Sequence, residues 1–111
     1  MGISKTQPIK KIVNGKETMV SESIIVNGTE YTTQGEDAIL VKNNKTQCTI
    51  LLDEKTTRHI TIKSMGNTVV KTNKLIDEEY EEIQLEKFAS VELRFILKSW
   101  YVMSSDGLKN S

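Results

Sequence analysis

Residues 59–103 read HITIKSMGNTVVKTNKLIDEEYEEIQLEKFASVELRFILKSWYVM, and much of this stretch alternates between polar and apolar side chains. The alternation is clearest in His59–Lys63, Glu82–Glu86 and Val91–Phe95. Residues two apart lie on the same face of a strand, so a period of two indicates half-buried β-strands. Apolar residues do not recur at the three- and four-residue spacing of an amphipathic helix. The stretch is therefore predicted to be a series of short strands, with Trp100–Met103 as the last.

Turn chemistry separates these strands. Ser64–Asn67 is a predicted turn in which Gly66 can adopt a positive φ, and Thr68–Lys71 follows it as a β-branched strand. Further upstream, Ile-Val-Asn-Gly occurs twice, at residues 12–15 and 25–28. Asn-Gly between β-formers is the strongest short hairpin signal, because both central residues of the turn need a positive φ. The predicted hairpins pair Lys11–Val13 with Glu17–Val20, and Ser23–Val26 with Thr29–Thr33.

About ten short strands and no convincing helix predict an all-β chain. Ala38–Lys42 and Gln47–Leu52 complete the series. The expected fold is a single small antiparallel β-sandwich or barrel-like domain with an extended N-terminal arm. The expected divisions are an arm at 1–11, a β domain at 12–103 made of N-terminal hairpins (12–33) and a core (34–103), and a polar tail at 104–111. The predicted core residues are Val41, Ile50, Leu52, Ile60, Ile62, Val69, Ile83, Leu85, Val91, Leu93, Phe95, Trp100 and Val102.

The charge balance bears on the class of partner. Lys plus Arg and Asp plus Glu both number 15, so the net charge is zero, and no global field favours nucleic acid or an anionic membrane. Only Arg58 and Arg94 could supply the guanidinium forks that read nucleic acid. No apolar run is long enough for a membrane span, and the N-terminus has no signal-peptide pattern. We therefore expect neither a nucleic-acid nor a membrane partner, and synthesis in the cytoplasm.

No pattern of reactive side chains predicts an active site. His59 is the only histidine and is expected at the surface or in an interface, and Cys48, in phase with Ile50, is expected to be a buried thiol. One Cys and one His cannot build a zinc site of the usual ligand count. The acidic run Asp77–Glu82 favours a solvated loop over a Ca²⁺ site or a turn of helix. The prediction is a protein that is not an enzyme, with no catalytic residue, no metal ligand and no cofactor.

The order of several short motifs resembles a β-structured domain of bacteriophage and large-virus tail fibres, head fibres and capsid decorations. The similarity extends from about Tyr31 onwards and departs from the usual family pattern at two places. Leu52-Asp53 stands where the family has Leu-Pro, and Ile96–Ser99 stands where it has Asp-Gly-Thr-Asn before the Trp. The motifs are Ile62-Lys63 with Gly66 and Val69-Val70, then Leu75-Ile76-Asp77, Ile83-Gln84-Leu85, Ser90-Val91-Glu92-Leu93 and Trp100-Tyr101-Val102.

The resemblance implies a non-enzymatic structural protein of the viral capsid surface: a decoration, head-fibre or minor capsid protein. It would be assembled in the host cytoplasm, localise to the virion and bind other virion structural proteins, the major capsid or fibre subunits. One alternative is a host-attachment tail-fibre or adhesin module that binds a glycan or receptor. Another is a small cellular β-sandwich binding domain. Trp100-Tyr101 has two interpretations: an aromatic platform that stacks on a sugar, or a last strand whose Trp packs in the core. The resemblance implies that the Trp packs in the core.

Two contact regions are predicted from the residues. The arm, with Lys5, Pro8, Lys10 and Lys11, is expected to anchor the protein to a neighbouring subunit. The resemblance implies a homotrimer, and the loss of alternation at Phe95–Leu97 indicates an apolar second sheet face. The expected oligomer interface is Ile96, Leu97, Trp100 and Tyr101, unless the N-terminal hairpins cover that face within one chain.

Overall fold

The computed structural model describes the backbone of residues 3–5, 9–13 and 16–109 and the side chains of residues 22–107. None of these residues is helical, which confirms the all-β prediction. The described strands are β1 (Ile3–Lys5), β2 (Ile9–Val13), β3 (Lys16–Ser21), β4 (Ser23–Val26), β5 (Glu30–Thr32), β6 (Ala38–Val41), β7 (Gln47–Leu51), β8 (His59–Ser64), β9 (Asn67–Ile76), β10 (Tyr80–Ile96) and β11 (Ser99–Lys109).

Two parallel ladders form the body of the protein. Strands β4, β6 and β8 stack in one ladder, and β5, β7 and β9 stack in the other, so each pass of the chain adds one strand to each. The inward side chains form in-register rows that share one core. A fully buried aliphatic side chain in such a row contributes about 1.5–3 kcal/mol. The first row is Ile24, Ile39, Ile62 and Val91, and the second is Tyr31, Ile50, Val70 and Ile83.

This arrangement is solenoid-like, and the predicted antiparallel sandwich or barrel was wrong. Strand β4 pairs with β1 and β6, and β5 pairs with β7, so the predicted hairpin of Ser23–Val26 with Thr29–Thr33 is not formed. Asn27-Gly28 and Met65-Gly66 are corners at which the chain crosses from one ladder to the other. Corners and hairpin turns use the same residue types. Strands of a parallel ladder that is buried only on its inner face show the same alternation of polar and apolar side chains as antiparallel strands do. The local pattern therefore did not distinguish the two folds.

Close stacking of these corners explains Gly66. Its φ is not positive, contrary to the prediction. A Cβ at Gly66 would instead lie 2.4 Å from the Asn43 carbonyl oxygen and 2.7 Å from the Cα of Asn44. Asn43 in turn donates through Nδ2 to the Gly28 carbonyl oxygen at 2.9 Å and to Thr46 Oγ1 at 2.8 Å. Each corner thus rests on the one before it, and the backbone needs the space.

Strands β10 and β11 cap the two ladders. Residues 82–85 of β10 run antiparallel to β9, and residues 90–94 run antiparallel to β8, so one strand crosses both ladders. The two predicted strands at Glu82–Glu86 and Val91–Phe95 are parts of this single strand. β11 pairs along the other edge of β10 as far as Lys109, so the predicted polar tail is strand up to that residue.

The N-terminal region agrees with one prediction and corrects another. β2 and β3 form the predicted hairpin, with Lys11 opposite Thr18, as a separate two-stranded sheet. However, Ile3–Lys5 of the predicted arm pairs with β4 of its own chain, and β2 runs across the predicted boundary at residue 11. The side chains of Lys5, Pro8, Lys10 and Lys11 lie outside the described residues, so their role in binding stays a prediction.

The predicted core is largely confirmed. Eleven of its thirteen residues are buried, while Phe95 and Val102 are partly buried and pack against the core. Cys48 is buried, as expected. The core residues that the sequence did not identify are Ile24, Val26, Tyr31, Ile39, Val70, Ile76 and Ala89.

Candidate functional site

The turn between β10 and β11 has an unusual backbone. Ile96 pairs with Ser99, so Leu97 and Lys98 form a two-residue turn, and their φ values are 47° and 74°. Two left-handed residues define a type I′ turn, for which Asn-Gly is strongly preferred. A side chain with a Cβ costs about 1–2 kcal/mol in this conformation. The turn therefore carries strain that Asn-Gly would avoid.

Three exposed apolar side chains lie at this turn. Leu97 is 91% exposed, and Ile96 beside it is 38% exposed. Leu75 is 41% exposed and precedes Ile76, which pairs with Trp100 of β11. We name Leu75, Ile96 and Leu97 the tip cluster. In residues 22–107, the other large apolar side chains that are similarly exposed are Phe88 and Met103.

Two cations lie over the ring of Phe95, the residue before Ile96 of the tip cluster. The guanidinium of Arg58 lies 5.2 Å from the centre of the Phe95 ring, and Lys74 Nζ lies 5.9 Å from it. Lys74 Nζ also donates to the carbonyl oxygen of Lys98 at 3.1 Å. The ion pairs among the described side chains are His59–Glu92 and Lys71–Glu82. Arg58, Lys74 and Lys98 therefore have no carboxylate partner in that part of the chain.

Trp100 does not belong to this surface, contrary to the prediction. It is 0% exposed, and its ring packs against Phe95 with the centroids 5.6 Å apart and the planes tilted by 60°. The prediction that Trp100 packs in the core is confirmed. The alternative sugar platform therefore loses one of its two aromatic rings. Tyr101 is half-buried and donates its hydroxyl hydrogen to Glu78, and this bond raises the pKa of Tyr101. Of the four predicted interface residues, Ile96 and Leu97 are the exposed ones.

A polar group joins β8, β10 and β11 on the outer face. His59 Nε2 lies 2.6 Å from Glu92 Oε2, and Ser104 Oγ donates to Glu92 Oε1 at 3.1 Å. The hydrogen bond with His59 and the one from Ser104 hold the pKa of Glu92 below its ordinary value. Ser104 bonds to the carboxylate and not to the imidazole, so this is not the arrangement of an activated nucleophile. His59 is half-buried in this cross-strand pair.

The other titratable candidates serve the fold. Burial raises the pKa of the Cys48 thiol, so this thiol is neither a thiolate nor accessible. The acidic run forms a turn at residues 77–79, where Asp77 Oδ1 accepts from the Val102 N–H at 2.9 Å. Within the described residues, no group of three or more His, Cys, Asp or Glu side chains is placed to hold a metal ion.

No protein-family model matches the chain, and no curated protein matches it. In the described part of the chain, no helix is long and apolar enough to cross a membrane.

Sequence reasoning identified Ile96 and Leu97 but missed the rest of the tip. Arg58 lies in the β7–β8 turn, and Lys74 and Leu75 lie near the end of β9, far from Leu97 along the chain. Arg58 and Lys74 are brought together by their contacts with the Phe95 ring, and Lys74 also contacts Lys98. No local sequence signal could have grouped them.

Proposed function

We propose that this chain is a non-enzymatic structural protein of the viral capsid surface that binds neighbouring virion subunits. The observation that carries the proposal is the tip cluster. A strained turn that presents a nearly fully exposed leucine beside two further apolar side chains has the features of a protein-contact surface. The similarity of residues 31–103 to viral fibre and decoration domains supplies the class of partner.

The absence of an enzymatic role is part of the same proposal. Cys48 is buried, and His59 is held by Glu92 on the outer face. In the described structure, neither side chain is a member of an accessible nucleophile–base pair. Assembly as a homotrimer, localisation to the virion and anchoring by residues 1–11 belong to this proposal as well.

The test is the composition of intact particles. We expect quantitative mass spectrometry of purified particles to find this chain at a fixed copy number. Replacing Leu97-Lys98 by Asn-Gly keeps a favoured turn but removes the apolar tip, so we expect this variant to be lost from the particles. A separate variant with Lys5, Lys10 and Lys11 changed to Ser keeps the residues that form β1 and β2 in the chain and is expected not to attach. Absence of the chain from particles, or full occupancy by both variants, would contradict the proposal.

A second candidate function is host attachment through a glycan or receptor. It is favoured by Tyr101, an aromatic ring on the outer face that is bonded to Glu78 and lies opposite Arg94, which in turn lies opposite His59. Aromatic rings and carboxylates are both used in sugar binding. A glycan array probed with the purified chain tests it. Binding that is lost in Tyr101→Ala and kept in Leu97→Asn would support this second function.

A further inference from the structure

A hollow lies beside the tip cluster, and its lining ends at Asn73, two residues before Leu75. It lies between the turn after β7 and residues 71–73 of β9. The register between β9 and β10 shifts next to this part of β9: Lys71 pairs with Glu82, whereas Ile76 pairs with Tyr80. Leu51 and Leu52 form its apolar part. The remaining lining residues are Asp53, Glu54, Lys55, Lys71, Thr72 and Asn73.

Two carboxylates at this hollow are open to a cation. Asp53 and Glu54 make no ion pair among the described side chains. Of the two lysines beside them, Lys71 is already paired with Glu82 at 3.5 Å. The hollow thus combines an apolar part, in which Leu51 is half-buried and Leu52 is 5% exposed, with the carboxylates of Asp53 and Glu54 and the ammonium of Lys55, which is also unpaired among the described side chains. The charge of the unpaired groups is net negative. The tip combines an exposed leucine with Lys74 and Lys98, which make no ion pair among the described side chains. Arg58 donates through Nε to the Glu54 carbonyl oxygen at 2.8 Å, so it lies beside the hollow as well.

We propose that the tip of one copy of this chain binds the hollow of a second copy. Leu97 enters the apolar part formed by Leu51 and Leu52, and Lys98 approaches Asp53 and Glu54. The tip does not fill the hollow of its own chain, because Leu97 remains 91% exposed. Burial of an apolar anchor surrounded by complementary charges is the pattern of an energetically dominant interface contact.

The strain in the turn supports this assignment independently of the charges. Asn-Gly would form the same turn without a Cβ in the left-handed region at its second position, yet the chain has Leu97-Lys98 there. Strained residues of this kind persist where the side chain has a use. Burial of Leu97 in a second copy provides one.

The contact joins two different surfaces, so it is heterologous, and its repetition closes into a ring when the rotation between copies permits. The inference rests on the self-association included in the proposed function, and it does not depend on a role in the virion.

A charge-reversal cycle on the full chain tests the contact. We expect sedimentation equilibrium to show the wild-type protein associated at about 10–100 µM. Lys98→Glu and Glu54→Lys should each weaken the association about 30-fold, and the double variant should restore it. Restoration identifies this pair of surfaces, since neither a folding defect nor another interface predicts it.

The Asn-Gly replacement of Leu97-Lys98 is the matched control for folding. It should unfold at a higher temperature than the wild type and sediment as a monomer. A monomeric wild type over the same concentration range overturns the inference, as does a double charge variant that stays dissociated. Particle occupancy is measured separately, so a wild-type monomer still found on particles would leave the role in the virion intact while the homotrimer and this contact both fail.

Discussion

The pair of Tyr31 and Glu36 is the clearest case of a buried polar group set by this fold. Tyr31 donates its hydroxyl hydrogen to Glu36 Oε2 at 2.8 Å, and the Gln34 N–H donates to Oε1 at 2.9 Å. Both side chains are buried. Burial, followed by the hydrogen bond with Glu36, raises the pKa of Tyr31 far above its ordinary value. The neutral phenol is therefore favoured in the folded state.

This shift predicts a loss of stability in alkali. The folded pKa is above the unfolded one, so the stabilisation is complete below the unfolded pKa of about 10 and is lost as the pH rises towards the folded pKa. We expect Tyr31→Phe to reduce this loss in urea unfolding experiments, and to cost about 1–3 kcal/mol at neutral pH because Glu36 loses a donor. The pKa of the more exposed Tyr101 is also raised, by its bond to Glu78, so Tyr101→Phe is the comparison and should reduce the alkaline loss less than Tyr31→Phe does. An unchanged alkaline slope in Tyr31→Phe would contradict the assignment.

Gly66 gives a second prediction at the scale of one residue. Gly66→Ala places a Cβ against backbone atoms of Asn43 and Asn44, which cannot rotate away. We expect a loss of about 3 kcal/mol in the free energy of unfolding, the upper part of the range for overpacking. Asn67→Ala, at the exposed next position, should stay within about 0.5 kcal/mol. Equal stability of the two variants would mean that the corners do not stack closely.

At the scale of the strands, β10 and β11 bend at the same corner by the same means. Phe88 has a φ of 73° and Gly107 a φ of 72°, and Gly107 lies against Ala89. Phe88 is 55% exposed, so its side chain contributes little to the core. The bend moves β10 from one ladder to the other.

The cost of this bend is measurable. Phe88→Gly and Phe88→Ala both remove the ring, but only glycine relieves the left-handed strain. We expect the glycine variant to be more stable than the alanine variant by about 1 kcal/mol in chemical denaturation. Gly107→Ala should lose a similar amount. An alanine variant as stable as the glycine variant would show that residue 88 is not strained.

The sequence predicted the strands but not their partners. The period of two located β6, β7 and β8 within a residue or two, because alternation reports which face of a strand is buried. It does not report which strand lies beside it. Stacking of Ile24 on Ile39 and of Ile39 on Ile62 joins residues far apart in the chain, and Asn27-Gly28 carries the same local signal in a corner as in a hairpin. The tip cluster depended on that stacking, so only its Ile96 and Leu97 were predictable.

For the whole molecule, the stacking order determines where the structure opens. β8 lies between β6 and β10, and β9 lies between β7 and β10 in its first half, so their backbone groups are paired on both sides. β5 pairs with β7 on one side and ends the second ladder in the described structure. In solenoid-like proteins each layer is stabilised by its neighbours, and opening begins at the ends.

Hydrogen exchange therefore distinguishes this fold from the antiparallel alternative. We expect the amides of His59–Ser64 to exchange most slowly and those of Glu30–Thr32 to exchange much faster, with Ser23–Val26 in between because β4 has partners on both sides. In a hairpin of residues 23–33, the two strands would bond to each other and open together, and so show similar protection. Mass spectrometry of overlapping peptides measures the difference directly. Equal protection of the peptides covering β4 and β5, with the Gly66→Ala variant as stable as wild type, would exclude the stacked-corner arrangement.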